Sequence, residues 1–354
     1  MKELQALPLD RKIQITQTRI IEWYQHYNGN VVVSFSGGKD STVLMHIARK
    51  VYPNIRGLFS NTGLEYTDVV RFVSSQDNVD IIYPKMRFDQ VVSVYGYPLI
   101  SKEISKVIFE ARTYRSGNCS REKFNKDSYY ANKYGGQYNI TKWFPVVHLP
   151  IKISCVCCNK MKKDPMKGKH VIVATTAEES RLRRTNWIRH GCNSFDGKDP
   201  KFQPMSFWKE QDIFTYIVKN QIEISRIYGD IVSVGEDGTL YPPADLTGNP
   251  LPNLRCTGCQ RTGCTFCAFG LHSEKGKTRF QLLAEIEPRK YEYAIGGGQW
   301  VDNPDYDPTA PKMDGWWENW NPKQLWVPSK KGLGMGKVFD MMNDIYGKGF
   351  CRYD

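Results

Sequence analysis

The sequence predicts an α/β protein whose main sheet is doubly wound and mostly parallel. In the first third of the chain, short runs of β-branched and other apolar residues alternate with segments of helical periodicity. A polar, glycine-containing turn joins the first of these runs to the helical segment that follows it. Strand–helix alternation at this spacing is typical of parallel βαβ units. The 354 residues are enough for one large domain with an extension, or for two domains.

The individual elements follow from periodicity and from turn residues. Apolar side chains among charges predict a helix over 10–28, which Asn28-Gly29 would end. Runs rich in β-branched residues predict strands at 31–35, 55–59, 79–83 and 170–174. Helices are predicted over 88–95, 101–114 and 207–218, with a β-hairpin turning at Asp237-Gly238.

The turn after the first strand has the composition of an anion-binding loop. It reads Ser36-Gly37-Gly38-Lys39-Asp40-Ser41-Thr42 and opens a helix. Backbone N–H groups and the positive end of the helix dipole meet there, and the paired glycines allow an anion close to the backbone. Lys39 adds a full positive charge. We therefore expect a phosphate cradle, although not a Walker loop, because Asp40 takes the place of the required Ser or Thr.

The string SFSGGKDSTVL resembles the PP-loop ATP pyrophosphatase superfamily, and within it the phosphoadenosine-phosphosulfate (PAPS) reductase family. The segments NTGLE, CCNKMKKDP, AEESRLR and GCQRTGCTFCAFG are similar to further elements of that family, so the resemblance covers roughly residues 20–295. It implies an adenine nucleotide alpha hydrolase-like fold and binding of ATP, PAPS or adenylyl sulfate. On this basis we assign 1–240 to a PP-loop nucleotide-binding domain and 241–354 to a cysteine-cluster and Trp-rich region.

The resemblance also implies which residues contact the nucleotide. They are Ser36, Gly37, Gly38, Lys39, Asp40, Ser41, Thr42, Asn61, Thr62, Gly63, Glu65, Lys102, Glu179, Ser180 and Arg181. Lys39, Asp40 and Arg181 are the implied catalytic residues among them. A plainer interpretation exists for several: Lys102 follows a helix-capping Ser101, and the residues around Arg181 have the composition of a solvated helix start.

Ten cysteines predict metal or redox chemistry rather than disulfides in a protein expected to be cytoplasmic. Cys256, Cys259, Cys264 and Cys267 could close a zinc site alone, and thiolates equally suit an iron–sulfur cluster. The zinc interpretation leaves the Cys157-Cys158 pair without a partner. Adenylyl-sulfate reductases share a [4Fe–4S] cluster between such a pair and a distant CxxC, so the resemblance favours [4Fe–4S]. The candidate ligands are Cys157, Cys158, Cys259, Cys264 and Cys267, and the choice of four stays open.

The charge balance suits an anionic partner. The net charge is +12, from 49 basic and 37 acidic residues, which fits a DNA or RNA acceptor as well as an anionic substrate. An insertion at about 115–143 interleaves basic and aromatic residues, as single-stranded nucleic-acid sites do. A solvated basic surface is an equally good explanation. The N-terminus lacks the apolar core of a signal peptide and no apolar run approaches 18 residues, so we expect no membrane contact.

Three functions are compatible with these features. Reductases of the family attack the sulfate sulfur with a cysteine in a C-terminal ECGLH string, which this sequence lacks. Cys351 is the candidate in a comparable place, and neighbouring basic groups would lower its pKa. Its thiolate would attack the sulfate sulfur, and the released product would be sulfite. In the second function, ATP is split and the adenylate activates a nucleic-acid oxygen for replacement by sulfur, with a sulfur-donor or electron-donor protein as partner. In the third, the chain is a nucleotide and iron–sulfur sensor or partner subunit without turnover.

Overall fold

A computed structural model describes residues 2–112, 141–195, 201–309 and 320–354. Their packing separates into two compact units, each drawn from several stretches of the chain. The first unit comprises Met1–Asn61, Glu65–Tyr83 and Pro165–Gly263; the second comprises Thr62–Leu64, Pro84–Asp164 and Cys264–Asp354. The domain boundary placed at residue 240 stays a prediction. The basic and aromatic insertion lies outside the described residues up to position 140.

The helices and strands are numbered here in chain order. The strands are β1 Val31–Ser34, β2 Arg56–Ser60, β3 Val79–Ile82, β4 Leu99–Ile100, β5 His170–Ile172, β6 Asn193–Ser194, β7 Lys201–Phe202, β8 Ile231–Val234, β9 Leu240–Tyr241, β10 Leu254–Cys256, β11 Ala268–Phe269, β12 Gln299–Asp302 and β13 Gln324–Val327. The α-helices are α1 Lys2–Ala6, α2 Leu9–His26, α3 Lys39–Val51, α4 Thr67–Ser74, α5 Phe88–Tyr95, α6 Lys102–Arg112, α7 Phe144–Val147, α8 Arg181–His190, α9 Glu210–Lys219, α10 Arg279–Ile286, α11 Pro288–Ile295 and α12 Met335–Tyr346.

A six-stranded sheet organises the first unit and confirms the predicted mostly parallel α/β fold. Its order is β3-β2-β1-β5-β7-β6, and every neighbouring pair is parallel except β6 with β7 at the edge. The predicted strands are confirmed with small shifts at their ends. The buried side of α3, which includes Val43, Leu44 and Ile47, supplies part of the core against α2 and α9.

The order of the sheet places the loop after β1 at a switch point. From β1 the chain builds outward through β2 and β3 on one side, and β5 and β7 lie on the other side. In open α/β sheets, ligands bind at such a point, outside the carboxyl ends of the strands. The loops after β1 and β5 therefore frame the candidate site of this unit. The predicted hairpin is also confirmed, as β8 and β9 pair antiparallel around Gly238, whose φ is +85°.

The second unit is held by small sheets and by three helices near the C-terminus. β11 pairs parallel with β4, and β12 pairs antiparallel with β13. Phe280 on α10 and Phe339 on α12 are fully buried and contact each other edge to face. The last residues are fastened to the same helices, since Thr278 Oγ1 donates to the Arg352 carbonyl at 2.8 Å and the Tyr353 hydroxyl donates to Asp340 at 2.6 Å. Among the described residues, no helix has the length and apolarity needed to cross a membrane.

Candidate functional site

The loop from Ser36 to Thr42 has the backbone of an anion cradle. Gly37 has a φ of +71°, and a Cβ there would lie 2.6 Å from Val73 Cγ2, so only glycine fits. Gly38 follows in extended conformation as the N-cap of α3. The Ser41 hydroxyl donates to the Gly38 carbonyl at 2.9 Å and accepts the Ser36 N–H at 3.2 Å, which fixes the turn. The loop thus presents the start of α3 at the switch point.

Lys39 is buried and held between two carboxylates. Its Nζ lies 3.1 Å from Glu210 Oε1 and 3.6 Å from Asp40 Oδ2, and 5.5 Å from the centre of the Phe214 ring. The side chain is only 4% exposed. Burial works to lower the pKa of Lys39, but the charges of Asp40 and Glu210 outweigh it and the pKa is raised. The ammonium therefore stays charged and ready for an anion.

Asp40 interacts electrostatically with the segment that follows β5. Burial raises the pKa of the Asp40 carboxyl, the Lys39 charge opposes this, and the charge of Glu179 adds to it. Glu179 accepts the Thr176 N–H at 3.1 Å and forms an ion pair with Arg183, while the Ser180 hydroxyl accepts the Arg183 N–H at 3.2 Å. The structure thus brings Glu179 into the electrostatic environment of the cradle.

Arg181 is the first residue of α8, and its side chain lies outside the described part of the structure. The remaining nucleotide-contact predictions fall on the segment after β2 and on α6. Asn61 and Glu65 belong to the first unit, whereas Thr62, Gly63 and Lys102 belong to the second. The nucleotide roles of all these residues stay predictions.

Tyr228 and Thr262 contact the cradle, although neither residue belongs to a sequence motif for nucleotide binding. The Lys39 N–H donates to the Tyr228 hydroxyl at 3.1 Å, and that hydroxyl lies 2.9 Å from Thr262 Oγ1. Glu210 was likewise hidden within an ordinary amphipathic helix, where an acidic first turn is common. Thr262 lies within the second cysteine cluster, between Cys259 and Cys264, and Tyr228 belongs to no recognised motif.

The cysteines divide between the two units. Cys157, Cys158, Cys264 and Cys267 belong to the second unit, whereas Cys256 and Cys259 belong to the first. Cys157 donates a hydrogen bond to Cys158, which raises the pKa of Cys157, and the charges of Cys267 and Cys264 raise it further.

The bond from Cys157 and the nearby ammonium groups of Lys102 and Lys162 lower the pKa of Cys158, against the effect of burial. Lys102, which the family resemblance places at the nucleotide, forms a hydrogen bond with Cys158. The Cys259 thiol lies 2.9 Å from the Arg261 carbonyl.

The cysteines of the second unit are chemically suited to a thiolate-ligated group. Two pairs of thiols interact electrostatically, and soft sulfur ligands suit iron–sulfur clusters and zinc better than hard cations. The hydroxyl of Thr265, between Cys264 and Cys267, is buried and has no hydrogen-bond partner among the described residues. A hydroxyl in that position can donate to sulfur. No three His, Cys, Asp or Glu side chains in the described ranges stand in an arrangement that holds a metal ion, so the metal assignment stays a prediction.

Cys351 lies in a setting opposite to the one expected of a nucleophile. The residue is 6% exposed, its N–H donates to Asn343 Oδ1 at 2.7 Å, and burial raises the pKa of its thiol to about 12. The expected lowering of this pKa by basic neighbours is wrong, because the Arg352 guanidinium points instead to the Glu274 carbonyl. A raised pKa disfavours the thiolate that would attack sulfur.

We expect Cys351 to resist alkylation in the folded protein. At pH 8, a pKa of about 12 leaves only about one thiol in ten thousand ionised, and burial blocks access as well. Iodoacetamide labelling followed by peptide mass spectrometry checks this, with labelling in denaturant as the control for detection. Rapid labelling of Cys351 at pH 8 under native conditions would contradict the packed tail.

The comparisons with known proteins point to one family. The family model described as the phosphoadenosine phosphosulfate reductase domain matches residues 30–86, which contain the cradle. The chain is 24% identical over 267 residues to adenosine 5'-phosphosulfate reductase 2 of Bacillus subtilis, covering 73% of this chain and 91% of that protein. It is 22% identical over 215 residues to an adenosine 5'-phosphosulfate reductase of Staphylococcus epidermidis, covering 59% and 70%.

Two further matches are informative in different ways. An uncharacterised protein of Methanocaldococcus jannaschii is 37% identical over 297 residues, or 83% of this chain, and the chain spans 52% of its length. A crystal structure of PAPS reductase from Candida auris in complex with phosphate matches 60% of this chain and 82% of its own, with 14% identity and a TM-score of 0.32. A likeness of that size carries no argument about the site.

Proposed function

Because the chain belongs to the PAPS reductase family of the PP-loop superfamily, we propose that it is an enzyme of sulfur metabolism that acts on an adenine nucleotide. The observation that carries the proposal is the buried Lys39 at the start of α3, at the switch point of a parallel sheet. Its ammonium suits the phosphate of ATP or the phosphosulfate of PAPS or adenylyl sulfate. The reaction is sulfonucleotide reduction or sulfur transfer.

In this proposal the cradle residues hold the anionic part of the nucleotide. Lys39 supplies the charge, and Asp40 and Glu210 keep the ammonium oriented until an anion competes for it. Glu179 adds its charge near Asp40, and Ser180 and Arg181, at the start of α8, join the proposed site on the family resemblance. We also include nucleotide contacts from 61–65 and from Lys102. Their only support is the family resemblance.

Four of the cysteines of the second unit would hold a [4Fe–4S] cluster, with zinc as the alternative. Cys157, Cys158, Cys264 and Cys267 provide four thiols within one unit, and the buried Thr265 lies between the last two in the sequence. When bound, such a cluster supplies electron transfer or a local positive charge. Cys259 is not needed for this set, because it belongs to the first unit.

Reduction of a sulfonucleotide is the first candidate reaction. It is supported by the curated relatives, which are named adenosine 5'-phosphosulfate reductases. That reaction needs a thiol that attacks the sulfate sulfur, expels the nucleotide and is then freed by a dithiol reductant, with sulfite as product.

ATP-dependent sulfur transfer is the second candidate, and the state of Cys351 favours it. The thiol is buried and its pKa is raised to about 12. In this reaction pyrophosphate leaves ATP and the adenylate activates an oxygen of DNA or RNA. The net charge of +12 is compatible with such an acceptor. A sulfur-donor or electron-donor protein would complete the system.

Product analysis tests the proposal and separates the two reactions. Anaerobically purified protein is incubated with adenylyl sulfate, PAPS or ATP in the presence of a dithiol, with and without tRNA or DNA. We expect sulfite from a sulfonucleotide if the first reaction holds, and pyrophosphate with AMP from ATP if the second holds. Neither product from protein that binds nucleotide would favour the non-catalytic sensor. The Lys39→Ala variant controls for contaminating activity in every arm.

A further inference from the structure

Two hydroxyl groups lie directly against the backbone of the cradle. A Cβ added to Gly38 would come within 3.2 Å of the Tyr228 hydroxyl and 3.0 Å of Thr262 Oγ1. Tyr228 ends the 3₁₀-helix Arg226–Tyr228 and is only 1% exposed, so its hydroxyl is held in place. The contact explains why the second position of the glycine pair must also lack a side chain. A bulkier residue at Gly38 would displace both hydroxyls.

The Tyr228 and Thr262 hydroxyls have one more hydrogen than their mutual hydrogen bond uses. The Lys39 N–H is donated to the Tyr228 oxygen, and one hydroxyl hydrogen bridges Tyr228 and Thr262. The two side chains together carry two hydroxyl hydrogens. One of them therefore remains for a third group, and no acceptor for it is found among the described residues. The Tyr228 hydroxyl alone satisfies the Lys39 N–H. That hydrogen bond therefore does not account for the Thr262 hydroxyl beside it.

The charges around the cradle indicate what the third group is. Lys39 supplies the positive charge, but Asp40 and Glu210 already contact its ammonium and would repel an incoming anion. Neutral donors such as Tyr228 and Thr262 would add attraction without adding charge. Burial raises the pKa of Tyr228, which keeps its hydroxyl protonated and able to donate at neutral pH. An oxyanion of phosphate type, held beside the hydroxyl pair and the start of α3, is an acceptor that suits this donor.

We propose that the hydroxyl groups of Tyr228 and Thr262 form a second wall of the anion site at Gly38 and Lys39, and donate a hydrogen bond to a phosphate-type oxygen bound there. The proposal rests on the proposed function, because it requires that an anion binds this loop. It assigns two binding residues from the segment between α9 and the second cysteine cluster. That segment lies beyond residues 30–86, to which the family model is matched.

Binding measurements on the full chain test this proposal. The probes are inorganic pyrophosphate, ATP and inorganic sulfate, titrated calorimetrically into wild type, Thr262→Val, Thr262→Ser and Tyr228→Phe. We expect Thr262→Val and Tyr228→Phe each to weaken pyrophosphate and ATP binding about tenfold, the typical size for a hydrogen bond to a charged group. Thr262→Ser retains the hydroxyl and should bind like wild type. Thr247→Val, on the exposed loop after the hairpin of the same unit, serves as the matched control.

The outcomes separate this proposal from the function on which it rests. Wild-type affinity in Thr262→Val, when Lys39→Ala has lost binding, overturns the role of the hydroxyls and leaves the cradle intact. Tighter binding in Tyr228→Phe also overturns it, because the hydroxyl would then block the Lys39 N–H rather than add a donor. Unchanged affinity in Lys39→Ala overturns the proposed function itself. Thermal unfolding of each variant identifies losses of affinity that come from misfolding. If Thr262→Val misfolds, the affinity of Thr262→Ser, which keeps the hydroxyl, is compared with that of Tyr228→Phe.

Discussion

Replacing Lys39 by alanine is expected to abolish measurable binding of ATP and of PAPS while the protein stays folded. The side chain is the cation at the centre of the cradle, and it is 4% exposed. A charge-assisted hydrogen bond to phosphate contributes roughly 1.5–3 kcal/mol. Its removal also leaves Asp40 and Glu210 facing the anion without a neutralising partner. Together these effects predict a loss of about 100-fold or more in affinity.

Titration calorimetry with each nucleotide measures this loss. Lys50→Ala is the matched control, because Lys50 lies on the same helix and its ammonium donates instead to Asn220 at 2.9 Å. We expect that control to bind like wild type. Circular dichroism and thermal unfolding report whether Lys39→Ala keeps the fold. A folded Lys39→Ala protein with unchanged affinity for both nucleotides would remove the loop from the mechanism.

The second large effect concerns the cysteines of the second unit. Anaerobically purified protein is expected to be brown and to contain about four iron and four sulfide per chain. Serine at Cys264 or at Cys267 removes one of the four thiolates and should bleach the protein. The visible spectrum and the iron content measure this directly, without any assay of activity.

Two control variants test which thiols matter. Cys259→Ser changes a cysteine of the same sequence cluster that belongs to the first unit, and Cys192→Ser changes a buried thiol that accepts a bond from the Trp187 ring N–H at 3.3 Å. Both should keep their colour. A colourless preparation with one zinc per chain would assign the thiols to a structural zinc site. Bleaching by Cys259→Ser would return that residue to the ligand set.

The sequence predicted the fold of the first unit well because its signals are local. The run before Ser36 and the glycine pair that follows define a strand, a turn and a helix start within a few residues. The two-residue strands β4, β6, β7 and β11 were not predicted, because two residues carry no periodicity. The partners of β4 and β11 are each other, far apart along the chain, and β7 also pairs with the earlier β5.

The candidate site was predicted only where a motif marks it. Tertiary packing brings Glu210, Tyr228 and Thr262 to the cradle. Their neighbours in the sequence form no pattern that predicts these contacts. The spacing from Cys256 to Cys267 looks like one cluster, yet the structure assigns its two halves to different units. The pKa of Cys351 was expected to fall because Arg352 is its neighbour in sequence. Burial of the thiol, which depends on the packed tail, raises that pKa instead.

The discontinuous make-up of the first unit has a consequence for synthesis of the protein. β1 pairs with β2 early, but its other edge pairs with β5, and the carboxylate of Glu210 reaches Lys39 only when α9 has been made. A chain still attached to the ribosome therefore carries an unpaired edge of a hydrophobic strand for as long as 84–164 is being translated. Such non-local pairing makes folding slow and exposes the nascent chain to aggregation. We expect chaperone dependence during expression, and a fragment ending before β5 should fail to accumulate in soluble form.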